Sequence, residues 1–233
     1  MTTRSIGIIV NSNHYPEKDI WFFVQDMNDI IQRHHMSGRF YEEEELAIIG
    51  RHFRDGGVFV DVGANIGNHS IYLAKFLGAS HCIPIEPNPE ALTILRINIR
   101  LNGLTNIVDQ RHLGIGFANQ ESQANIVYPQ TNNLGAARLS VEERGAFKVR
   151  RGDDVLREYN QIDFIKIDVE GMEMAVLSGL SMCIAKSKPN IFIEVEDRRF
   201  NELASWAESQ GYIIADKYQR YKWITNYLLI PHI

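Results

Sequence analysis

The run Val58 to Ser70, VFVDVGANIGNHS, decides the fold of this chain. Val58, Phe59, Val60 and Val62 are strand formers, and the stretch reads as a buried strand that carries a carboxylate, Asp61, into a glycine turn and then a helix. Gly63 and Gly67 let a ligand and the backbone approach closely. The helix that follows offers free N–H groups and a partial positive charge. Asp61, Gly63, Asn65 and Gly67 spell D-x-G-x-N-x-G. The dinucleotide fingerprint is instead G-x-G-x-x-G, built around a pyrophosphate. An acid at this turn suits a nucleoside with a positively charged end better than one with two phosphates.

Outward from this run, strand and helix patterns alternate to Lys217. His81 to Glu86 is a second core strand, Asn88 and Pro89 cap a helix, and Val108 to Ile115 reads as a third strand. Gln123 to Tyr128, Ala136 to Ser140 and Phe147 to Arg150 are shorter strands. Ile162 to Glu170 and Asn190 to Glu196 are strong strands, with helices over Met172 to Leu180 and Phe200 to Gln210. Tyr212 to Lys217 and Thr225 to Ile230 close the chain. Their link is too short for a parallel crossover, so the last strand is expected to run antiparallel. The expectation is an α/β, Rossmann-like fold: a mostly parallel seven-stranded sheet with an antiparallel closing strand. Before it, Ser5 to Val10 and Ile20 to Asp26 read as strands, and Asp29 to His35 and Glu42 to Phe53 as helices. Asp55-Gly56-Gly57 breaks the chain, giving an N-terminal cover over 1–55 and a core domain over 56–233.

The 233 residues are 45% hydrophobic and 23% charged, which suits one domain with a full core and a small appendage. A net charge of −5 argues against a nucleic-acid partner. No apolar run is long enough for a membrane span, and the first residues do not read as a secretory signal. Cys82 and Cys183 sit among apolar residues and read as reduced core thiols of a cytoplasmic protein; no Cys/His cluster suggests zinc.

Ligands of open α/β sheets bind at the carboxyl ends of the strands. Read in order, those ends are Asp61, Glu86, Leu113-Gly114, Asp168 with Glu170, and Glu194 with Glu196. So many converging acids are costly without a cation, which marks this edge as the candidate active site. Glu86 stands where an acid accepts ribose hydroxyls, with Pro87 and Asn88 shaping its turn. The bland alternative makes Glu86 a helper for the following helix cap. The turn through Asp61, Gly63, Ala64, Asn65, Gly67 and Asn68 would hold a positively charged amino-acid end, and Leu113 and Gly114 would flank a base. S-adenosylmethionine, a nucleoside with a sulfonium and an ammonium, has that chemistry.

The blocks VDVGANIGNHS, IEPNPEAL, IDFIKIDVEGMEMAVLSGL and NIFIEVE, in that order, resemble the FkbM family of S-adenosylmethionine-dependent methyltransferases. The resemblance runs from about Tyr41 to the closing NYLLIP, and Arg111 to Gly116, RHLGIG, departs from the family's small-apolar run. It implies a class I methyltransferase fold and methyl transfer to a hydroxyl of a sugar, glycolipid or polyketide-type acceptor. It also implies that Asp61, Gly63, Asn65 and Gly67 form the cofactor loop, Glu86 the ribose acid, and Asp168, Glu170 and Gly171 the catalytic edge.

An alkyl hydroxyl attacks well only if its proton leaves during attack. Asp168 is the first candidate base and Glu194 the second; alternatively the two share a divalent cation, magnesium or manganese. Lys166 points to the side of Asp168, to offset the acids or merely to cap a strand. Tyr218, Tyr221 and Trp223, alternating with Lys217, Arg220 and Lys222, are candidates to stack on a sugar and hold an anionic group, or else a plain strand edge. Tyr41, Asn132 and Asn133 are further acceptor candidates. The Glu42 to Glu45 run reads first as a solvated helix face, with Glu43 a candidate for the cofactor mouth. His34, His35, His52 and His112 read as surface or packing residues. An NAD-dependent oxidoreductase and a cofactor-binding scaffold without catalysis are the competing readings.

Overall fold

The computed structural model describes residues 7–127, 138–142 and 145–232. Its elements in chain order begin with strands β1 (Ile8–Asn11) and β2 (Trp21–Val24) and helices α1 (Ile30–Met36) and α2 (Glu43–His52). Then come β3 (Val58–Val62), α3 (Asn68–Phe76), β4 (His81–Ile85), α4 (Pro89–Leu101), β5 (Ile115–Ala118), β6 (Ser122–Val127), β7 (Arg138–Glu142) and β8 (Phe147–Arg151). The chain continues through α5 (Gly152–Leu156), β9 (Phe164–Ile167), α6 (Glu173–Gly179), α7 (Ser181–Ser187), β10 (Asn190–Glu196), α8 (Phe200–Gln210), β11 (Tyr212–Tyr221) and β12 (Ile224–Pro231).

The central sheet has six strands in the order β11-β12-β10-β9-β3-β4. β3, β4, β9 and β10 run parallel, while β12 is antiparallel to β10 and to β11. The antiparallel closing strand is therefore present, but the single seven-stranded sheet is not. The expected third core strand, Val108 to Ile115, is reduced to one parallel bridge between Cys82 and Val108. Local chemistry explains the break. Asp109 Oδ1 accepts the Arg111 backbone N–H at 2.9 Å, which turns the chain, and Gly114 adopts φ +92°. β5 then leaves for a separate four-stranded sheet, ordered β5-β8-β6-β7. On the outer side of β4, Cys82 N–H donates to Ile107 at 2.9 Å, Asp109 N–H donates to Cys82 at 2.8 Å, and Gly114 N–H reaches the Glu86 carbonyl at 2.9 Å. Pro84 lies between these rungs, opposite Asp61 in the β3 register.

α4 follows Asn88, whose side chain accepts from Glu90 N–H at 3.1 Å, with Pro89 at its first position. One face of the sheet buries Val60, Ile165 and Ile193 against Val176, Leu177 and Leu203. The other buries Phe59, Phe164, Phe192 and Leu228 against Leu46, Ile71 and Leu95. Ile20, Phe22 and Phe40 from the first 55 residues join that second cluster. β2 is held by α4 as well: Asn98 Oδ1 accepts Phe23 N–H at 2.7 Å, and Asn102 both accepts from Trp21 N–H at 3.0 Å and donates to its carbonyl at 2.7 Å. Asn98 in α4 and Asn102 at its C-cap, four residues apart, thus complete a strand edge. Cys82 and Cys183 are unbridged. No helix among the described residues is long and apolar enough to cross a membrane.

Candidate active site

Strand periodicity builds the site. Phe59, Phe164, Phe192 and Leu228 pack on one face of four neighbouring strands. Side chains two residues away point to the same face. Those residues are Asp61, Lys166, Glu194 and Asn226, with Asp61 beside Lys166 and Glu194 beside Asn226 in register. Apolar side chains thus floor the sheet, and polar ones stand at its carboxyl edge.

Lys166 is the hub. Its Nζ lies 3.1 Å from Asp168 Oδ2 and 3.8 Å from Asp61 Oδ1, and it donates to the Gly63 carbonyl at 3.1 Å. Burial works against its charge, but Asp168, Asp61 and Glu42 outweigh burial and hold the ammonium above its usual range. Asp61 is fully buried; Ser70 Oγ donates to Oδ2 at 2.7 Å, while Oδ1 has no hydrogen-bond donor. Burial raises its carboxyl, and Lys166 and Ser70 only partly offset this. Asp168, Glu170 and Glu194 bring one oxygen each within 4.8 Å of one another. Asn226 Nδ2 donates to Glu194 at 3.3 Å. Burial, then Asp168 and Glu42, push the Glu194 carboxyl well above its ordinary range.

The glycine turn is shaped by close approach. Gly63 has φ +83°, and a Cβ there would sit 1.8 Å from the Asp168 carbonyl oxygen. Asn65 is left-handed too, at φ 48°. Its N–H donates to Glu86 Oε2 at 2.8 Å, and its own Oδ1 is buried without a donor. Glu86 Oε1 accepts from Asn88 N–H at 2.8 Å. Burial lifts Glu86 to about 7 despite these two bonds. The Glu170-Gly171 turn is braced from behind: Gly171 N–H donates to Glu173 Oε1 at 2.5 Å, and Arg199 donates to the Gly171 carbonyl at 2.8 Å.

The family model for the Methyltransferase FkbM domain matches residues 61–214. The chain belongs to the FkbM methyltransferase family. It is an S-adenosylmethionine-dependent methyltransferase. Similar proteins include Methyltransferase sdnD of Sordaria araneosa, 28% identical, with 69% of this chain matched to 81% of that one. Hexuronic acid methyltransferase AglP of Haloferax volcanii is 24% identical over 69% of this chain and 64% of its own. Among solved structures, the FkbM methyltransferase of Methylobacillus flagellatus KT superposes with a TM-score of 0.57 at 21% identity, covering 88% of this chain and 56% of that chain.

In this FkbM-family chain the fold gathers Asp61, Lys166, Asp168, Glu170 and Glu194 into one cluster, with Glu86, Asn65 and Asn88 beside it. Pro87 is half-buried, and Gly114 reaches the end of β4 through its bond to the Glu86 carbonyl. Leu113 packs against the core cluster. Ala64 is buried in the turn. Asn68 is committed to the N-terminal segment: it accepts from Tyr41 N–H at 2.9 Å and pairs with His35 Nε2 at 3.1 Å, and donates to the Tyr41 carbonyl at 2.8 Å. Tyr41 and Tyr221 share a hydroxyl–hydroxyl bond. Trp223 is 65% exposed at the β11–β12 turn, with Lys222 4.7 Å above its ring. Asn132 and Asn133 lie outside the described residues.

Two expectations are corrected. Arg220 does not wait for an anionic ligand, because its guanidinium bonds Glu44 at 2.6 Å and Glu45 at 2.6 and 2.8 Å. The Glu42 to Glu45 run is not one solvated face: Glu45 is buried under Arg220, and Glu42 turns inward to within 3.7 Å of the buried His69 ring. Glu42 sits at the N-cap of α2 in a left-handed conformation, φ 61°, with no side-chain capping bond. Burial, then Asp168, raise it to about 8. Glu is a poor N-cap, and a left-handed backbone there is strained.

Proposed function

We propose that this chain transfers a methyl group to a hydroxyl oxygen of a small-molecule or glycan-type acceptor. One observation carries the cofactor side: the turn beside Asp61 presents buried acceptor oxygens, Asp61 Oδ1 and Asn65 Oδ1, that accept no hydrogen bond among the described residues, Lys166 facing Asp61 Oδ1 only from 3.8 Å. Buried acceptors without a hydrogen-bond donor suit an ammonium and disfavour a pyrophosphate. Asp61, Asn65 and the Gly63–Gly67 turn would hold the amino-acid end of S-adenosylmethionine, and Glu86 the ribose. When bound, that cofactor supplies a methyl group activated by a positively charged sulfur. Asp168 and Glu194 would take the proton of the acceptor hydroxyl. Asp168 is already ion-paired with Lys166, whereas Glu194 takes the weaker Asn226 amide bond, so Glu194 is the freer of the two to accept it. Asp168, Glu170 and Glu194 would also accommodate a divalent cation, an oxygen-only set that suits magnesium or manganese. Residues 1–55 would close the acceptor side as a cover over the 56–233 core.

The test is direct. The full chain is titrated with S-adenosylhomocysteine and with NAD, then incubated with S-adenosylmethionine and hydroxylated glycosides, with and without EDTA. Binding of S-adenosylhomocysteine and formation of a methyl ether support the reading; NAD binding alone ends it. Glu86→Ala is expected to weaken S-adenosylhomocysteine binding at least about tenfold, measured by calorimetry. If only acceptor affinity fell, the ribose would be misplaced.

A further inference from the structure

The tip of the β11–β12 hairpin carries two backbone irregularities, and each sets an aromatic residue at the carboxyl edge of the central sheet. Tyr218 pairs with Asn226 and Tyr221 with Ile224, so three steps along β11 oppose two along β12. That is a β-bulge. In a regular strand Tyr221 would face away from Tyr218. The bulge instead turns it onto the face of Ile224 and Asn226, which is also the face of Glu194. The Tyr221 hydroxyl meets that of Tyr41, whose backbone is held in turn by Asn68 at the start of α3. The second irregularity is Trp223, at φ 72°. A left-handed position in a hairpin turn usually takes glycine or asparagine, and a bulky side chain there is strained. The Trp223 carbonyl accepts the Asp197 N–H at 2.9 Å, which ties the turn to the residue that follows β10. Lys222 lies 4.7 Å above the indole, yet Trp223 is 65% exposed, and Tyr221 beside it is 41% exposed. Strained backbone that presents an exposed aromatic beside a site points to a use in binding.

Given hydroxyl methylation, on which this rests, we propose that Tyr221 and Trp223 form a platform at the mouth of the acceptor site, on which a pyranose ring stacks. Trp223 is the residue that sets the preference for cyclic sugars over other alcohols. A pyranose suits the place because it has two kinds of surface. Its axial C–H bonds make an apolar, faintly positive face, which the negative face of an indole attracts. Its equatorial hydroxyls point outward, and Glu194 and Asn226, paired in register on the same face of the sheet, offer oxygens to them. An acyclic polyol has the hydroxyls without the face, and a long-chain alcohol has no ring to stack.

The test uses the full chain with S-adenosylmethionine and magnesium, and four acceptors: methyl β-glucoside, methyl β-xyloside, glucitol and 1-decanol. Both glycosides are expected to exceed glucitol and decanol in kcat/KM by at least about tenfold. Trp223→Gly is the decisive variant, because it removes the ring and relieves the backbone at once. It should raise KM for methyl glucoside at least about tenfold, with kcat within about twofold and S-adenosylhomocysteine affinity unchanged. Its melting temperature should be no lower than that of the parent chain. Trp223→Tyr should keep most of the parent's affinity for the glucoside. A Trp223→Gly chain with the parent's KM overturns the proposal. So does one that loses stability and turnover together, since the ring would then serve packing. Glucitol or decanol turned over as well as the glycosides also overturns it, and leaves hydroxyl methylation itself standing. If none of the four is methylated while S-adenosylhomocysteine still binds, both readings fall.

Discussion

Lys166 shows how one side chain holds a site in shape. It faces two carboxylates and a carbonyl from a buried position. Lys166→Met would leave Asp61 and Asp168 facing each other without a counter-charge, a loss of about 3–5 kcal/mol. Urea denaturation of the variant measures it, and a change under about 1 kcal/mol would mean the pair is solvated. The buried acids also set a pH dependence whose sign can be worked out. Glu86 is raised from 4.5 to about 7 and Glu42 to about 8, chiefly by burial. The folded state therefore binds more protons than the unfolded one between those limits, and stability falls as pH rises through them. His35, lowered to about 4, and His69, held well below its usual range by burial, act in the opposite direction, losing stability as pH falls below 6.5. Above pH 6.5 only the acids remain in play. The melting temperature of the ligand-free protein is expected to fall from pH 6.5 to 8, and Glu86→Gln should flatten part of that slope. A rise over the same interval would show that these carboxylates are not buried as described.

The elements meet through a few polar residues at their ends. Asn68, the first residue of α3, binds both backbone groups of Tyr41 and the ring of His35. It therefore couples the glycine turn to the segment before α2. Asn68→Ala is expected to cost about 1–3 kcal/mol and to raise hydrogen exchange over residues 35–42 before it does so in β3. Uniform loosening of the whole chain would count against that coupling. A second join lies across the hairpin, where Arg220 of β11 grips Glu44 and Glu45 of α2 and covers the Tyr41 ring at 5.6 Å. Together these contacts fix where Glu42 stands, and so carry the strain of its left-handed backbone.

Across the whole molecule, one hydrophobic cluster runs from Ile20, Phe22 and Phe40 into Phe59, Phe164 and Leu228. Unfolding should accordingly be a single transition, with tryptophan fluorescence and far-ultraviolet dichroism coinciding in urea; two separated transitions would make the N-terminal segment an independent unit. The alternation of strands and helices, the antiparallel closing strand and the acids at strand ends were legible, the acids from period-two patterning as in Phe59/Asp61 and Phe192/Glu194. The third strand was misread because Val108, Leu113 and Ile115 frame the stretch, while the polar run Asp109 to His112 between them, with its Asp109–Arg111 turn, and Gly114 break it. Glu42 was hidden for another reason: its inward turn depends on Arg220, 178 positions along the chain, drawing its neighbours the other way. The loss of that strand has a further consequence. It leaves β4 on the border of the sheet, where an open ladder could recruit a strand from a second chain. The rungs at Cys82 and Glu86 are filled by the chain's own backbone, and the one between them belongs to Pro84, which has no N–H to lend. The molecule thereby protects itself against edge-to-edge association and aggregation on that side, using a proline where its lost strand would have been.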